Sequence, residues 1–115
     1  MTYVDAFMAA VPEANKAAYL DQAKMMAGLF KEFGALSVAE CWGVDVPEGK
    51  KNSMHTAVLR EDGEGVVFSW VTWPSKAVRD AAWGKMETDE RMQNMSMPFD
   101  GSRLIFGGFE MMLEA

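Results

Sequence analysis

The eight residues VVFSWVTW, Val66 to Trp73, decide how this chain folds. They are β-branched and aromatic, and apolar side chains occupy both alternating sets of positions, as in a strand covered on both faces. Pro74 and Ser75 follow at once. Proline cannot continue a sheet ladder, and a serine ahead of KAVRDAAWGKM is a helix N-cap, with Val78, Ala81, Ala82 and Met86 on the buried side of the helix it opens. Upstream, Glu61 to Gly65 (EDGEG) is a turn-rich link. Before it, Met54 to Arg60 reads as another extended piece, either an added edge strand or part of an excursion, preceded by the polar loop Pro47 to Ser53.

Working outward, Tyr3 to Val11 (YVDAFMAAV) is strand-like and is stopped by Pro12. From about Asn15, Tyr19, Ala23, Met26, Phe30 and Phe33 recur at steps of four and three, which predicts an amphipathic helix ended by Gly34. Leu36 to Val46 alternates as a strand that places Glu40 on the same face as Trp42. Thr88 or Asp89 caps a further short helix reaching about Met95, Asp100 and Gly101 mark a turn, and Arg103 to Leu113 is the last strand.

This order is the βαββαβ pattern of a ferredoxin-like α+β fold, an antiparallel sheet with helices on one face, expected as one domain over residues 1–115. Val4, Phe7, Met8, Val66 to Phe68, Val71, Leu104 to Phe106 and Phe109 are apolar on both parities. Two helices hide only one face, so the other predicts a homodimer, two sheets packed into a shared dimeric α+β barrel whose interior holds the ligand chamber.

Composition narrows the functions. The net charge of −6 disfavours a nucleic-acid partner, and no apolar run approaches the ~20 residues of a membrane span. The amino terminus has no secretory pattern, so the cytoplasm is the expected compartment. One cysteine, Cys41, and one histidine, His55, cannot build a disulfide or a four-ligand zinc site, and no metal or cofactor is expected. Cys41 reads as a small buried hydrophobe. Eleven methionines suit either a malleable core or a forgiving cavity.

YVDAF, KEFGALSVAECWG, VVFSWVTWPSKAVRDAA, DERM and MPFDGSRLIFGGFE together resemble a bacterial family of uncharacterised proteins, the YbaA-like family, across essentially the whole chain. The resemblance implies a dimeric α+β barrel and brings no assigned activity or catalytic residues.

Gly107 and Gly108 lie inside the last strand with no helix to follow, so they are not a phosphate cradle but room for a close-lying ring, with Trp42, Trp70 and Trp73 as candidates. Asp5, Glu40 and Glu110 are acids in apolar strands, where a carboxylate gains a raised pKa suited to proton transfer, unless arginines such as Arg79 or Arg103 pair with them. His55 is the only histidine, the side-chain type suited to proton shuttling, and follows a polar loop. Catalytic candidates are therefore Glu40, His55, Asp5 and Glu110. Pocket candidates are Trp42, Trp70, Trp73 and Tyr3. Three functions stay open: a module binding a small apolar molecule, a cofactor-independent oxygenase or isomerase-like enzyme, and a structural or protein-interaction module. An open cavity containing a carboxylate or His55 favours an enzyme, an open apolar one with neither favours a binder, and a filled interior the third.

Overall fold

In a computed structural model describing residues 1–115, β1 (Tyr3–Pro12) pairs antiparallel with a strand on each side. One neighbour is β3 (Glu64–Trp73), with Tyr3 opposite Trp73, and the other is β4 (Ile105–Glu110), with Tyr3 opposite Glu110. The edge strand β2 (Ser37–Trp42) pairs with β3, giving the order β2-β3-β1-β4. The ferredoxin-like α+β expectation holds.

Two long helices cover one face: α1 (Lys16–Glu32) after β1, and α3 (Lys76–Glu87) after β3. Between them lies a core of Tyr3, Leu29, Phe30, Ala35, Val71, Trp73, Ala82 and Met86. Ser75 caps α3 as its sequence signal predicts, its Oγ accepting from the Val78 amide at 3.2 Å, although Ala81, placed on the buried side, is exposed. Asp89 caps the short α4 (Glu90–Gln93) in the same way through the Arg91 amide. Gly34 ends α1 with a φ of +113°, a conformation open to glycine.

Several boundaries differ from expectation. Met54–Ala57 is not extended but forms one helical turn, α2, because Ser53 and Thr56 make a reciprocal capping box. Leu59 then takes a φ of +51°, so the chain cannot run on as a strand. Residues 43–63 are thus an excursion that drives Val58 against Ala10 and Val66 on the outer face of the sheet, the face away from α1 and α3. β2 stops at Trp42, and the last strand occupies only 105–110. Cys41 is exposed, because β2 is an edge strand and the alternation turns this residue outward.

Only one of the paired glycines answers to a bulky ring. A Cβ on Gly108 would collide with the Tyr3 phenol, whereas one on Gly107 would make an ordinary 3.4 Å contact with Phe109. Trp42, one of the rings expected there, instead lies over Gly65, where no side chain fits beneath it. Close approach is the use of glycine, but the partner is Tyr3 rather than a tryptophan.

Candidate functional site

The alternation of each strand sends Asp5 and Phe7 of β1, Glu40 of β2 and Ser69 and Val71 of β3 toward the helices. There they bound a cavity of about 470 Å³ between sheet and helices, within the size range of small-molecule sites. From α1 come Tyr19, Gln22, Ala23, Met26 and Phe30, and from α3 Arg79, Trp83 and Glu87. α4 supplies Met92, and the connection from it to β4 supplies Met95, Met97, Phe99 and Leu104, with Phe106 near the start of β4. Thirteen of the nineteen lining residues are apolar. Four are methionines, whose flexible thioethers adapt to varied shapes.

Aromatic contacts stiffen the walls. Phe30 meets Trp83 edge to face at 5.6 Å, Tyr19 meets Phe99 likewise at 5.7 Å, and Phe7 stacks on Phe106 at 6.2 Å. The methionine-bearing connection is tied to the two ends of α1, by Asn15 Nδ2 donating to the Pro98 carbonyl at 2.8 Å and by Arg91 bonding Glu32 at 2.6 Å.

Two polar groups stand out. At one end, Tyr19 Oη donates to Glu40 Oε1 at 2.5 Å, with Ser69 opposite Glu40 across the β2–β3 pairing. Part of Glu40 reaches solvent, yet its carboxyl is pushed up by loss of water around it, an effect the Tyr19 bond offsets only in part. Tyr19 is likewise raised, first by burial and then by its acidic partner, so it stays a donor. Nearby, Gln22 Oε1 is buried with no partner.

The second group is centred on Asp5, 2% exposed. Its Oδ2 accepts from the indole N–H of Trp73 and that of Trp83, each at 3.0 Å, and Arg79 grips the carboxylate through Nε at 3.0 Å and Nη2 at 2.9 Å. Arg79 Nη1 is taken by Asp80 at 2.9 Å, and the guanidinium pKa is raised, chiefly by its bond to Asp5. Asp5 is therefore a saturated acceptor that pins β1 to α3. Arginine pairing, not proton transfer, is its use.

The other expected site residues lie elsewhere. His55 sits half-buried on α2, Nε2 donating to the Val46 carbonyl at 2.9 Å, and does not line the cavity because α2 packs beyond the outer face. Glu110 is exposed at the end of β4. The tryptophan pocket is corrected too. Trp73 is fully buried core, Tyr3 covers Gly108, and alternation directs Trp70 to the outer face beside Phe68. Trp42 flanks only a small side groove, under Lys16 at 4.9 Å. The cavity moreover lies between the sheet and helices of a single chain, not on the outer face where the ligand chamber was expected.

Residues 2–101 match the family described as "Protein of unknown function (DUF1428)". The chain belongs to this family. It is 54% identical over 116 residues to the uncharacterised protein YbaA of Escherichia coli strain K12, covering 99% of both chains. The identity and coverage are the same with YbaA of Shigella flexneri. Among solved structures it is similar to a dimeric ferredoxin-like protein from an uncultured marine organism, with a TM-score of 0.63 and 10% identity over 99% of this chain and 98% of that one. It is also similar to a Bacillus cereus protein provisionally assigned as an antibiotic biosynthesis monooxygenase, with a TM-score of 0.53 and 11% identity over 99% and 96%. At such identities these likenesses show the fold alone.

Of the site, sequence reading reaches Glu40 and Asp5 and misses Gln22, Ser69, Trp83 and the methionine wall. Tyr19 falls on the helical stripe but is indistinguishable there from core. The available signal is the methionine run Met92, Met95, Met97, which lies outside every long helix and strand.

Proposed function

We propose that residues 1–115 act as one α+β unit that binds a small, largely apolar molecule in the cavity between sheet and helices, with the Tyr19–Glu40 pair holding its polar end. The observation that carries this reading is an open 470 Å³ space lined by thirteen apolar residues out of nineteen, in which Asp5 is taken up by Arg79 and two indoles; of the other two acids, Glu87 and Glu40, Glu40 is what supports catalysis as a second reading. A filled interior would have favoured a purely structural or interaction role. Thermal unfolding against a metabolite library is the test, since a ligand at 100 times its Kd adds ~2.7 kcal/mol to stability. Stabilisation is expected to disappear in Leu104→Trp, which fills the space from the β4 side. Stabilisation that survives this change would place the ligand elsewhere and overturn the reading.

Catalysis is favoured by a specific feature, the raised carboxyl of Glu40 against apolar walls. In this second reading, a cofactor-independent isomerase-like or oxygenase step, Glu40 takes a proton from the bound molecule, leaving a neutral carboxylic acid and an anionic ligand. The likeness to a protein provisionally assigned as a monooxygenase is in keeping with it. Exchange of a ligand hydrogen for deuterium in heavy water, lost in Glu40→Gln, would support it, as would dioxygen consumption. Neither occurring with a confirmed ligand would leave binding alone.

The working form in this proposal is a homodimer paired through the outer face, in the cytoplasm. Ile105 and Phe109 are exposed there at 42% and 57%, and Met8, Phe68 and Trp70 are only half-buried. One structural neighbour is dimeric. The exposed thiol of Cys41 suits a reducing compartment.

A further inference from the structure

The polar groups of the cavity are unevenly matched, and the imbalance defines the ligand. Gln22 Oε1 is a buried acceptor with no donor. Glu40 receives one hydrogen bond, from Tyr19, though a carboxylate accepts several. Tyr19 spends its only O–H on Glu40 and offers no donor to a ligand. A molecule entering between Gln22 and Glu40 therefore meets two acceptors short of donors, Gln22 Oε1 and Glu40, beside the amide N–H of Gln22 and the Ser69 hydroxyl.

Charge points the same way. Arg79 is the single basic residue lining the cavity, against the acids Asp5, Glu40 and Glu87. Its Nε, Nη1 and Nη2 are all engaged, by Asp5 and Asp80. The one guanidinium is already neutralised by Asp5 and Asp80, and a carboxylate or phosphate brought beside Glu40 would meet a like charge with no cation to offset it. The remaining walls, Phe7, Met26, Phe30, Trp83 and Phe99 among them, offer only apolar contact to the ligand body.

Resting on the binding function proposed above, we infer that the ligand is a neutral apolar molecule bearing a hydroxyl group, whose O–H is donated to Glu40 with Gln22 Oε1 as the neighbouring acceptor. The single O–H is shared as a three-centre bond between a free lone pair of Glu40 and Gln22 Oε1, the one cavity acceptor without a partner, and no charge is brought in with it.

Three probes of similar bulk test it by calorimetric titration of the intact protein at pH 8: 1-naphthol, 1-methoxynaphthalene and 1-naphthoate. The expected order is naphthol tightest, by about tenfold or more over the methoxy compound, the worth of a hydrogen bond to a charged group, with naphthoate weakest. In Glu40→Leu and in Gln22→Leu the naphthol preference should shrink while affinity for 1-methoxynaphthalene is kept, which also shows that the variants are folded. Equal binding of naphthol and methoxynaphthalene overturns the hydroxyl inference and leaves the apolar cavity standing. Tighter binding of naphthoate overturns it as well. Failure of all three to bind the wild-type protein removes the binding function and this inference together.

Discussion

Tyr19 on α1 and Glu40 on β2, twenty-one positions apart, share a 2.5 Å hydrogen bond that closes one end of the cavity. Loss of water around the Glu40 carboxyl raises its pKa against the opposing pull of the Tyr19 bond.

That imbalance sets a pH dependence. The folded-state pKa of Glu40 lies above its ordinary 4.5, so in the window between the two values the folded protein keeps a proton that the unfolded chain has released. Stability from this group falls as pH rises through that window, and above it the ionised carboxylate is a net cost. Glu40→Gln is expected to be as stable as wild type or slightly more so at pH 8, with a smaller stability difference between pH 5 and pH 8. Thermal unfolding at the two pH values measures it. A marked loss of Tm in the variant at pH 8 would contradict the assignment.

Asp5 contributes stability by a different route, because four donor contacts converge on it in a buried position. Asp5→Ala strands the Arg79 guanidinium and two indole N–H groups, and a loss of about 3–5 kcal/mol is expected in urea unfolding. Arg79→Met combined with Asp5→Ala should cost clearly less than the two single losses added, since the second change removes the charge the first leaves unpaired. Full additivity would show that the carboxylate and guanidinium do not act as a unit.

The contrast between these two acids explains what was legible in the chain. Tyr19, Ala23, Met26 and Phe30 announce a helix by their spacing, and Ser75 announces the next, because capping and periodicity are local. Met54 to Arg60 is ambiguous between edge strand and excursion because its side chains permit extension while the reciprocal Ser53–Thr56 cap selects a turn. Asp5 and Glu40 look alike in sequence, as acids among hydrophobes. Only the register that sets Asp5 opposite Val71 and beneath Arg79, and Glu40 opposite Ser69 beside Tyr19, separates a saturated pin from a carboxylate facing a cavity.

Gly107 and Gly108 give a sharp local comparison. Alanine at 108 must displace the Tyr3 ring, which is itself 8% exposed and part of the core, and about 1–3 kcal/mol of overpacking is expected. Alanine at 107 meets only the edge of the exposed Phe109 ring and is expected to change stability little. Denaturant midpoints of the two variants decide it, and equal effects would remove Tyr3 as the reason for a glycine at 108.

Acid should loosen the opposite end of the sheet. Arg103 bonds both carboxylate oxygens of Glu64, at 2.6 and 2.7 Å, and reaches the Leu59 carbonyl, tying β4's approach to the 43–63 excursion. Arg103 holds the Glu64 carboxyl below its ordinary 4.5, so its stabilisation is present above that value and is lost as pH falls through the lower folded-state pKa. Arg103→Met is expected to lower Tm at pH 7 and to lose less than wild type on further acidification. Parallel Tm curves for the two proteins from pH 7 down to pH 3 would show that the pair contributes no such linkage.

The outer face remains the largest unpaid surface of the fold. Val4, Ala6, Met8, Phe68, Trp70, Ile105 and Phe109 alternate onto it, and the excursion covers only the corner at Ala10, Val58 and Val66. A second copy laying the same face against this one would bury those side chains in a self-complementary contact, the geometry of a twofold dimer. Light scattering is expected to return about twice the 12.8 kDa chain mass for the wild-type protein. Phe109→Lys with Trp70→Glu should give the monomer mass with the sheet preserved by circular dichroism, because both side chains project away from the core between β1 and α1. The cavity lies on the other side of the sheet, so apolar ligands should still bind this monomer. A wild-type protein that scatters as a monomer at micromolar concentration would show that the apolar outer face stands open to water.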